Sequence, residues 1–432
     1  MLPETVCRID EIAAAAQATG RVPSLVAGIV RDGVLAHVSG AGGAPPPDPD
    51  TQYRIGSISK TFTAALILRL RDEDRLSLDD LLYRHLPGTP VGGVSIRQLL
   101  AHVGGLQREP DGDWWERSAG QSVDGLLAEL TPDKAALPLH GFHYSNLAYG
   151  LLGAVAERIT GEPWRTQVGK RLLEPLGMTR TTYDPAEPFA RGYVVHPWHG
   201  TLREEPRHDA GAMAPAGQLW STVTDLARWA AFLAEPDPAV LAPESVAQMW
   251  TPVAMGDLDS WTAGYGLGLQ LWRSGERVYL GHTGSMPGYL AVLAVHRASR
   301  TGAVAFANAY SIDGQPIGDL GLRMLDEVVD REPAPVPAWR PGSAPPAGIA
   351  PLAGRWWWMG REFEVGWDGE LVMRPLAAPG DVWRFTPDGT DRWRCRSGSN
   401  RGEWLTVRRA PDGGVAALDV ATWIFTRDPD SS

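Results

Sequence analysis

Ser57-Ile58-Ser59-Lys60-Thr61-Phe62-Thr63-Ala64-Ala65-Leu66 opens a run that continues to Arg71. Ile58, Phe62, Ala65, Leu66 and Leu70 recur near a 3.6-residue spacing, so the run reads as a helix with one apolar face. Positions i and i+3 of a helix share a face, which sets the Lys60 amine beside the Ser57 hydroxyl. A serine hydroxyl is a poor nucleophile until a neighbouring base takes its proton. An amine can be that base only when neutral, which burial favours. Ser-x-x-Lys alone is a weak signal. Here it gains weight because lysine occurs only at 60, 134 and 170, with arginine everywhere else. Lys60 also heads turns that are almost wholly apolar.

Two further segments carry matching chemistry. Gly141-Phe142-His143-Tyr144-Ser145-Asn146-Leu147 precedes a helical run over 147–159. A tyrosine hydroxyl can relay a proton to a leaving group, and an asparagine amide can hold a substrate carbonyl. Alone, it also reads as a loop tyrosine followed by a helix cap. Gly281-His282-Thr283-Gly284-Ser285 ends an apolar strand and is followed by Met286-Pro287-Gly288. Its small residues, Thr283 and Gly284 among them, would let a substrate backbone lie alongside the strand. The backbone N–H of Ser285 could join that of Ser57 as an oxyanion hole. Alone, it reads as an ordinary strand-end turn.

Together, in this order, the three segments resemble the serine β-lactamase and penicillin-binding-protein superfamily, whose motifs are Ser-x-x-Lys, Ser-Asp-Asn and Lys-Thr-Gly. The resemblance is to its class C β-lactamase, D,D-peptidase and family VIII esterase branch, with Tyr144-Ser145-Asn146 and His282-Thr283-Gly284 in the second and third slots. Ile96–His102, Glu174-Pro175-Leu176-Gly177-Met178 and Gly217–Thr222 are also similar, and the likeness runs from about residue 8 to 330. It implies acyl-serine chemistry. Ser57 would be acylated, and Lys60 would be its base or would hold Tyr144 as base. Tyr144 would protonate the leaving group and later activate the deacylating nucleophile, Asn146 would position the acyl amide, and His282 would support Tyr144 or the substrate. Where a lysine could hold a substrate carboxylate, a histidine is mostly neutral above about pH 6.5. Weak β-lactam turnover and a preference for esters, thioesters or amides are therefore expected.

Outward from these motifs, 10–19 reads as an amphipathic helix. The run 26–38 reads as a hairpin about Asp32-Gly33. Ser95–Gln98 forms a capping box. Helices are expected at 163–172, 222–233 and 315–329, and strands at 277–282, 289–296 and 302–308. This order predicts an α+β body in which one antiparallel sheet, flanked by a helical region, unites both chain ends. Domain boundaries are expected at 1–332, with a Pro-rich linker over 333–351. About eight short β-runs follow between Gly354 and Thr426, a region holding many of the 18 tryptophans. A small antiparallel barrel over 352–432 fits them, with tryptophan in its core, and resembles a lipocalin-like domain.

The net charge of −11 over 432 residues argues against nucleic acid or an anionic membrane as partner. Cys7 and Cys395 cannot make a disulfide framework or a cysteine zinc motif. His196, His199 and His208 lack tight ligand spacing, so no metal and no cofactor is expected. His102 reads as a hydrogen-bonding helix-end residue. Trp114 and Trp115 are candidate walls of the substrate site, with loop packing as the alternative. With no leader-like N-terminus and no long apolar run, a cytoplasmic location is expected. The reading is a serine hydrolase or acyltransferase for small acyl or peptidyl substrates, of esterase or D-stereoselective peptidase type. Alternatives are a thioesterase, transacylase or peptide cyclase in metabolite biosynthesis, a β-lactamase or D,D-carboxypeptidase, and a non-catalytic ligand-binding protein. The oligomeric state is not legible.

Overall fold

A computed structural model describes residues 1–43, 46–135, 141–310, 312, 314–333 and 338–431. The chain divides into two compact units, Met1–Ala334 and Pro335–Ser432.

In the first unit, helix α1 (Pro3–Thr19) leads into strands β1 (Ser24–Arg31) and β2 (Val34–Gly42). Asp32 and Gly33 at their turn both have positive φ, 48° and 82°, as a tight hairpin of this twist requires. Near the other end of the unit come β3 (Ala254–Met255), β4 (Ala263–Tyr265), β5 (Gln270–Ser274), β6 (Arg277–Met286), β7 (Tyr289–His296) and β8 (Thr301–Ala307). They form one antiparallel sheet in the order β2-β1-β8-β7-β6-β5-β4-β3, so both ends of the unit meet at the β1–β8 pair. β1 and β8 are buried along nearly their whole length, which is why they read as continuous apolar runs.

Each face of the sheet has a helical cover. α1 and the helix Ile317–Arg331 pack on one side, with Ile9, Ile12, Leu320 and Met324 in that core. The other side holds α2 (Ser59–Asp72), α3 (Asn146–Thr160) and α4 (Val223–Ala234). This second cover is the helical block between the two sets of strands. The capping box at Ser95 forms, with Ser95 Oγ accepting from the Gln98 N–H and the Gln98 side chain accepting from the Ser95 N–H.

In the second unit, eight strands from Gly354–Trp358 to Trp423–Phe425 pair in simple sequence order. The first and last edges meet through reciprocal Trp357 and Thr426 backbone hydrogen bonds of 2.9 and 3.0 Å, so the barrel is nearly closed. Trp356, Phe363, Trp383, Phe385 and Trp393 fill its core. The linker expected over 333–351 is shorter at its far end, because Ile349 packs into this core and Ala350–Leu352 form a 3-10 turn. The expected Pro335 and Pro337 lie outside the described residues. No helix among the described residues is long and apolar enough to cross a membrane.

Candidate active site

The turn that carries Ser57 is built by close backbone approach. A 3-10 turn, Gly56–Ile58, leads directly into α2 and presents Ser57 at the helix start. Gly56 has φ of 51°, and a Cβ there would lie 2.5 Å from the Ser285 N and O. A Cβ on Gly284 would lie 1.9 Å from the Ile55 O and 3.2 Å from the Ser57 N. Only glycine at both positions lets β6 run against the turn, bringing the Ser57 and Ser285 backbones together. β5 pairs with β6 only as far as Gly281, so 282–286 is left as a free edge facing the pocket.

Lys60 is fully buried one turn after Ser57. Its Nζ lies 3.0 Å from Ser57 Oγ and donates to the Ala216 carbonyl at 2.7 Å. Burial pushes its pKa down from 10.5 to about 7, partly opposed by Glu116 and Glu109. Tyr144 arrives from the loop before α3. Its ring centroid is 5.0 Å from Lys60 Nζ, and its phenol faces the Ser57 side chain. Burial drives the Tyr144 pKa upward, so the phenol keeps its proton. Ser57 and Tyr144 thus line one pocket of about 590 Å³, and Lys60 is buried against Ser57 without lining it.

His282 lines the same pocket, but both its ring nitrogens are committed elsewhere. The Tyr265 hydroxyl sits 2.9 Å from Nε2, and Nδ1 hydrogen-bonds the Thr283 carbonyl. A neutral ring with its proton on Nδ1 satisfies both bonds. Burial lowers the pKa from 6.5 to about 3, so this neutral form persists. The expected support of Tyr144 therefore takes the form of ring packing at 6.2 Å rather than a hydrogen bond. Thr283 N and Oγ1 both donate to Gln270 Oε1, at 2.9 and 3.2 Å.

Asn146 departs from its expected part. Its Nδ2 donates to both oxygens of Glu109, at 2.8 and 2.9 Å. The donor foreseen for a substrate carbonyl is thus occupied, because the nearby carboxylate is the stronger acceptor. Oδ1 is buried with no hydrogen-bond partner. The two tryptophans separate. Trp114 lines the pocket, whereas Trp115 is buried behind it and donates its indole N–H to Glu109 at 2.8 Å. Trp115 is therefore a support of Glu109 and not a wall, since its indole finds a buried polar partner there.

His102 has φ of 57° and is buried, accepting the Ser145 N–H at Nδ1. Its ring lies 4.4 Å from that of Tyr144, which steadies the phenol. Burial holds its pKa well below 6.5. Among the described residues no group of three or more side chains suits a metal ion.

Arg108, Glu109, Glu116, Gln270 and Tyr310 line the pocket without having been singled out in the sequence. Gln270 had a signal, as the one polar side chain within Leu267–Trp272. Glu116 directly follows the paired tryptophans. The others had no local signal.

A family model described as Beta-lactamase matches residues 9–319, and one described as a domain of unknown function (DUF7586) matches 345–427. The human protein called putative beta-lactamase-like 1 is 27% identical over 401 residues, covering 87% of this chain and 79% of that protein. The octameric penicillin-binding protein homologue of Pyrococcus abyssi superposes with a TM-score of 0.68 at 23% identity, over 98% of this chain and 100% of that one. A D-stereospecific amidohydrolase from a Streptomyces species superposes with a TM-score of 0.64 at 27% identity, over 74% of this chain and 97% of that one.

Proposed function

The chain belongs to the beta-lactamase family, and from that premise we propose that it is a serine hydrolase working through an acyl-enzyme on Ser57. Its substrates would be small esters, thioesters or amides. The observation that carries this reading is the buried Lys60 amine 3.0 Å from Ser57 Oγ, with the Tyr144 phenol in the pocket that Ser57 lines.

The electrostatics divide the proton work between the two. A neutral Lys60 keeps one N–H on the Ala216 carbonyl and has its lone pair for the Ser57 proton. Its lowered pKa makes it the better acceptor near neutral pH. Ser57 Oγ attacks the substrate carbonyl carbon, and the developing oxyanion lies between the Ser57 and Ser285 N–H groups. Tyr144, whose raised pKa keeps it a phenol, donates its proton to the departing oxygen, sulfur or nitrogen. It regains a proton from Lys60. Water then attacks the acyl-enzyme carbonyl as Lys60 takes its proton; the acyl–Oγ bond breaks, and Ser57 Oγ takes that proton back from Lys60, which frees the acid and restores both side chains. An amine in place of water would make the same site a transacylase or cyclase.

A neutral His282 supports a preference for substrates without the carboxylate that penicillins present. The likeness to a D-stereospecific amidohydrolase supports amides of D-configured acyl groups as a substrate class. For the second unit, eight strands in sequential order support the lipocalin-like reading. A serine-directed fluorophosphonate tests the central claim. Wild-type protein is expected to carry the adduct on Ser57 and Ser57→Ala to carry none; an adduct persisting in Ser57→Ala would overturn the assignment.

A further inference from the structure

On the reading that Ser57 is acylated and Tyr144 serves the departing group, we propose that Gln270 selects the leaving group. Its amide N–H pair receives a neutral oxygen acceptor, a carbonyl or ether oxygen, carried by the departing alcohol, thiol or amine. Leu269 and Leu271 on either side of it are buried, so the alternation of β5 turns Gln270 to the other face of the strand, where it lines the pocket with Ser57. The β5–β6 ladder ends at the Gln270–Gly281 pair. Beyond it the Gln270 side chain takes the place of the missing strand. Its Oε1 accepts the Thr283 N–H at 2.9 Å and the Thr283 hydroxyl at 3.2 Å. A backbone N–H can only donate, so the amide carbonyl must face Thr283 and the amide cannot be turned over. Nε2 is thereby directed away from Thr283. It has no hydrogen-bond partner among the described residues and is not closed off from solvent.

Two relationships set this donor on the leaving-group side. Along β6 every second N–H points to the same edge, so Thr283 and Ser285 present theirs alike. Ser285 gives its own to the oxyanion in the proposed mechanism, and Thr283 spends its own on Gln270. A substrate can therefore pair with the edge at Ser285 and no farther toward Thr283. Tyr144, the acid for the departing atom, packs its ring 6.2 Å from that of His282, the residue before Thr283. The departing group thus lies toward 282–283, against Gln270, and the acyl group toward the other end of the edge. His282 has no donor to give there, because Nδ1 serves the Thr283 carbonyl and Nε2 meets the Tyr265 hydroxyl. Thr283 has committed both of its own. The uncharged N–H pair of Gln270 remains, and it matches an uncharged acceptor. A purely apolar leaving group would strip water from these donors and return nothing, which is costly.

The test compares 3-acetylphenyl butyrate with 3-chlorophenyl butyrate on the full chain. Both give the same butyryl-enzyme and their phenols are of similar acidity, so the ratio of the two kcat/KM values isolates contacts made to the leaving group. The wild type is expected to favour the acetyl ester about tenfold. Gln270→Glu keeps an oxygen for Thr283 and exchanges the N–H pair for a carboxylate oxygen. At about pH 8, where that carboxylate is ionised, the preference should vanish or reverse. A merely structural lesion would lower both esters alike and leave the ratio unchanged. Parity of the two esters on the wild type, or a ratio in Gln270→Glu within about twofold of the wild-type ratio, would overturn the proposal while leaving the nucleophile in place. Failure of a fluorophosphonate to label Ser57 in the wild type would instead overturn the acyl-serine reading itself. Should Gln270→Glu fail to fold, Gln270→Met decides by the same ratio. Parity in that variant supports the donor, and a retained preference overturns it.

Discussion

Lys60 Nζ lies 3.0 Å from Ser57 Oγ inside a pocket wall where the amine has no exposure to solvent. On the proposed role of Lys60 as base, with its pKa lowered to about 7, protonation would remove that base, so kcat/KM should fall as pH drops through about 7 and level off above it. A limb between pH 4 and 5, in the ordinary carboxylate range of about 4, would place the essential base on a carboxylate instead. Lys60→Met keeps the length and apolar packing but has no lone pair of comparable basicity. Lys60→Arg stays charged at any working pH. Both should lose roughly 10²–10⁴-fold in kcat/KM toward a chromogenic ester. Stability supplies a second readout. Between about pH 7 and 10.5 the unfolded chain binds a proton at Lys60 that the folded chain does not, so stability should rise with pH across that window. Lys60→Met should flatten the rise.

The pairing of Gly56 with Gly284 predicts an effect on catalysis separate from binding. A Cβ at 284 would meet the Ile55 carbonyl at 1.9 Å, and backbone on both sides leaves it nowhere to turn. Gly284→Ala must push β6 away from the nucleophile turn, which misplaces the Ser285 N–H. The expected loss in kcat is roughly 10²–10³-fold, the usual cost of one oxyanion donor, with a smaller change in KM. Wild-type kcat in this variant would show that Ser285 N–H plays no part in the transition state.

A histidine held neutral predicts discrimination against anionic substrates. His282 has its pKa lowered to about 3 by burial, and its Nε2 is occupied by the Tyr265 hydroxyl. It thus offers a substrate carboxylate no charge at any pH where the protein would be assayed. Benzylpenicillin is expected to have a kcat/KM at least about 10²-fold below that of a neutral chromogenic ester, equivalent to about 2.7 kcal/mol. Comparable values for the two substrates would refute the role given to His282. Tyr265→Phe should leave Nε2 unpartnered and weaken turnover of the ester without restoring penicillin.

What the sequence revealed of this site follows its chemistry along the chain. Ser57 with Lys60, Tyr144 with Asn146, and His282 with Ser285 each sit in one short segment, so local spacing was enough to find them. The sheet was legible for a related reason: β1, β7 and β8 are continuous apolar runs that have no other place than a buried layer. Arg108 and Tyr310 could not be found that way, since they reach the pocket only through tertiary folding, and Glu116 had no more than its place after the paired tryptophans. The occupation of Asn146 was equally hidden. It depends on Glu109, which lies 37 residues away in sequence.

Trp115, Glu109 and Asn146 form a chain running from the buried loop to the pocket wall, and it predicts that a residue away from the pocket wall will affect turnover. The Trp115 indole N–H donates to Glu109 Oε2 at 2.8 Å, and both Glu109 oxygens hold Asn146 Nδ2. Trp115→Phe retains an aromatic ring against Gly217 but removes that N–H. A hydrogen bond to a charged acceptor contributes about 1.5–3 kcal/mol, and its loss frees Glu109 to swing toward the exposed Arg108. Asn146 would then lose the partner that fixes its amide. We expect kcat/KM to fall about tenfold, with Ser57 still labelled by fluorophosphonate at a rate within about threefold of wild type. A purely structural part for Trp115 would slow labelling and turnover together. Equal losses in both, or none in either, would break the connection between the indole and the Asn146 amide.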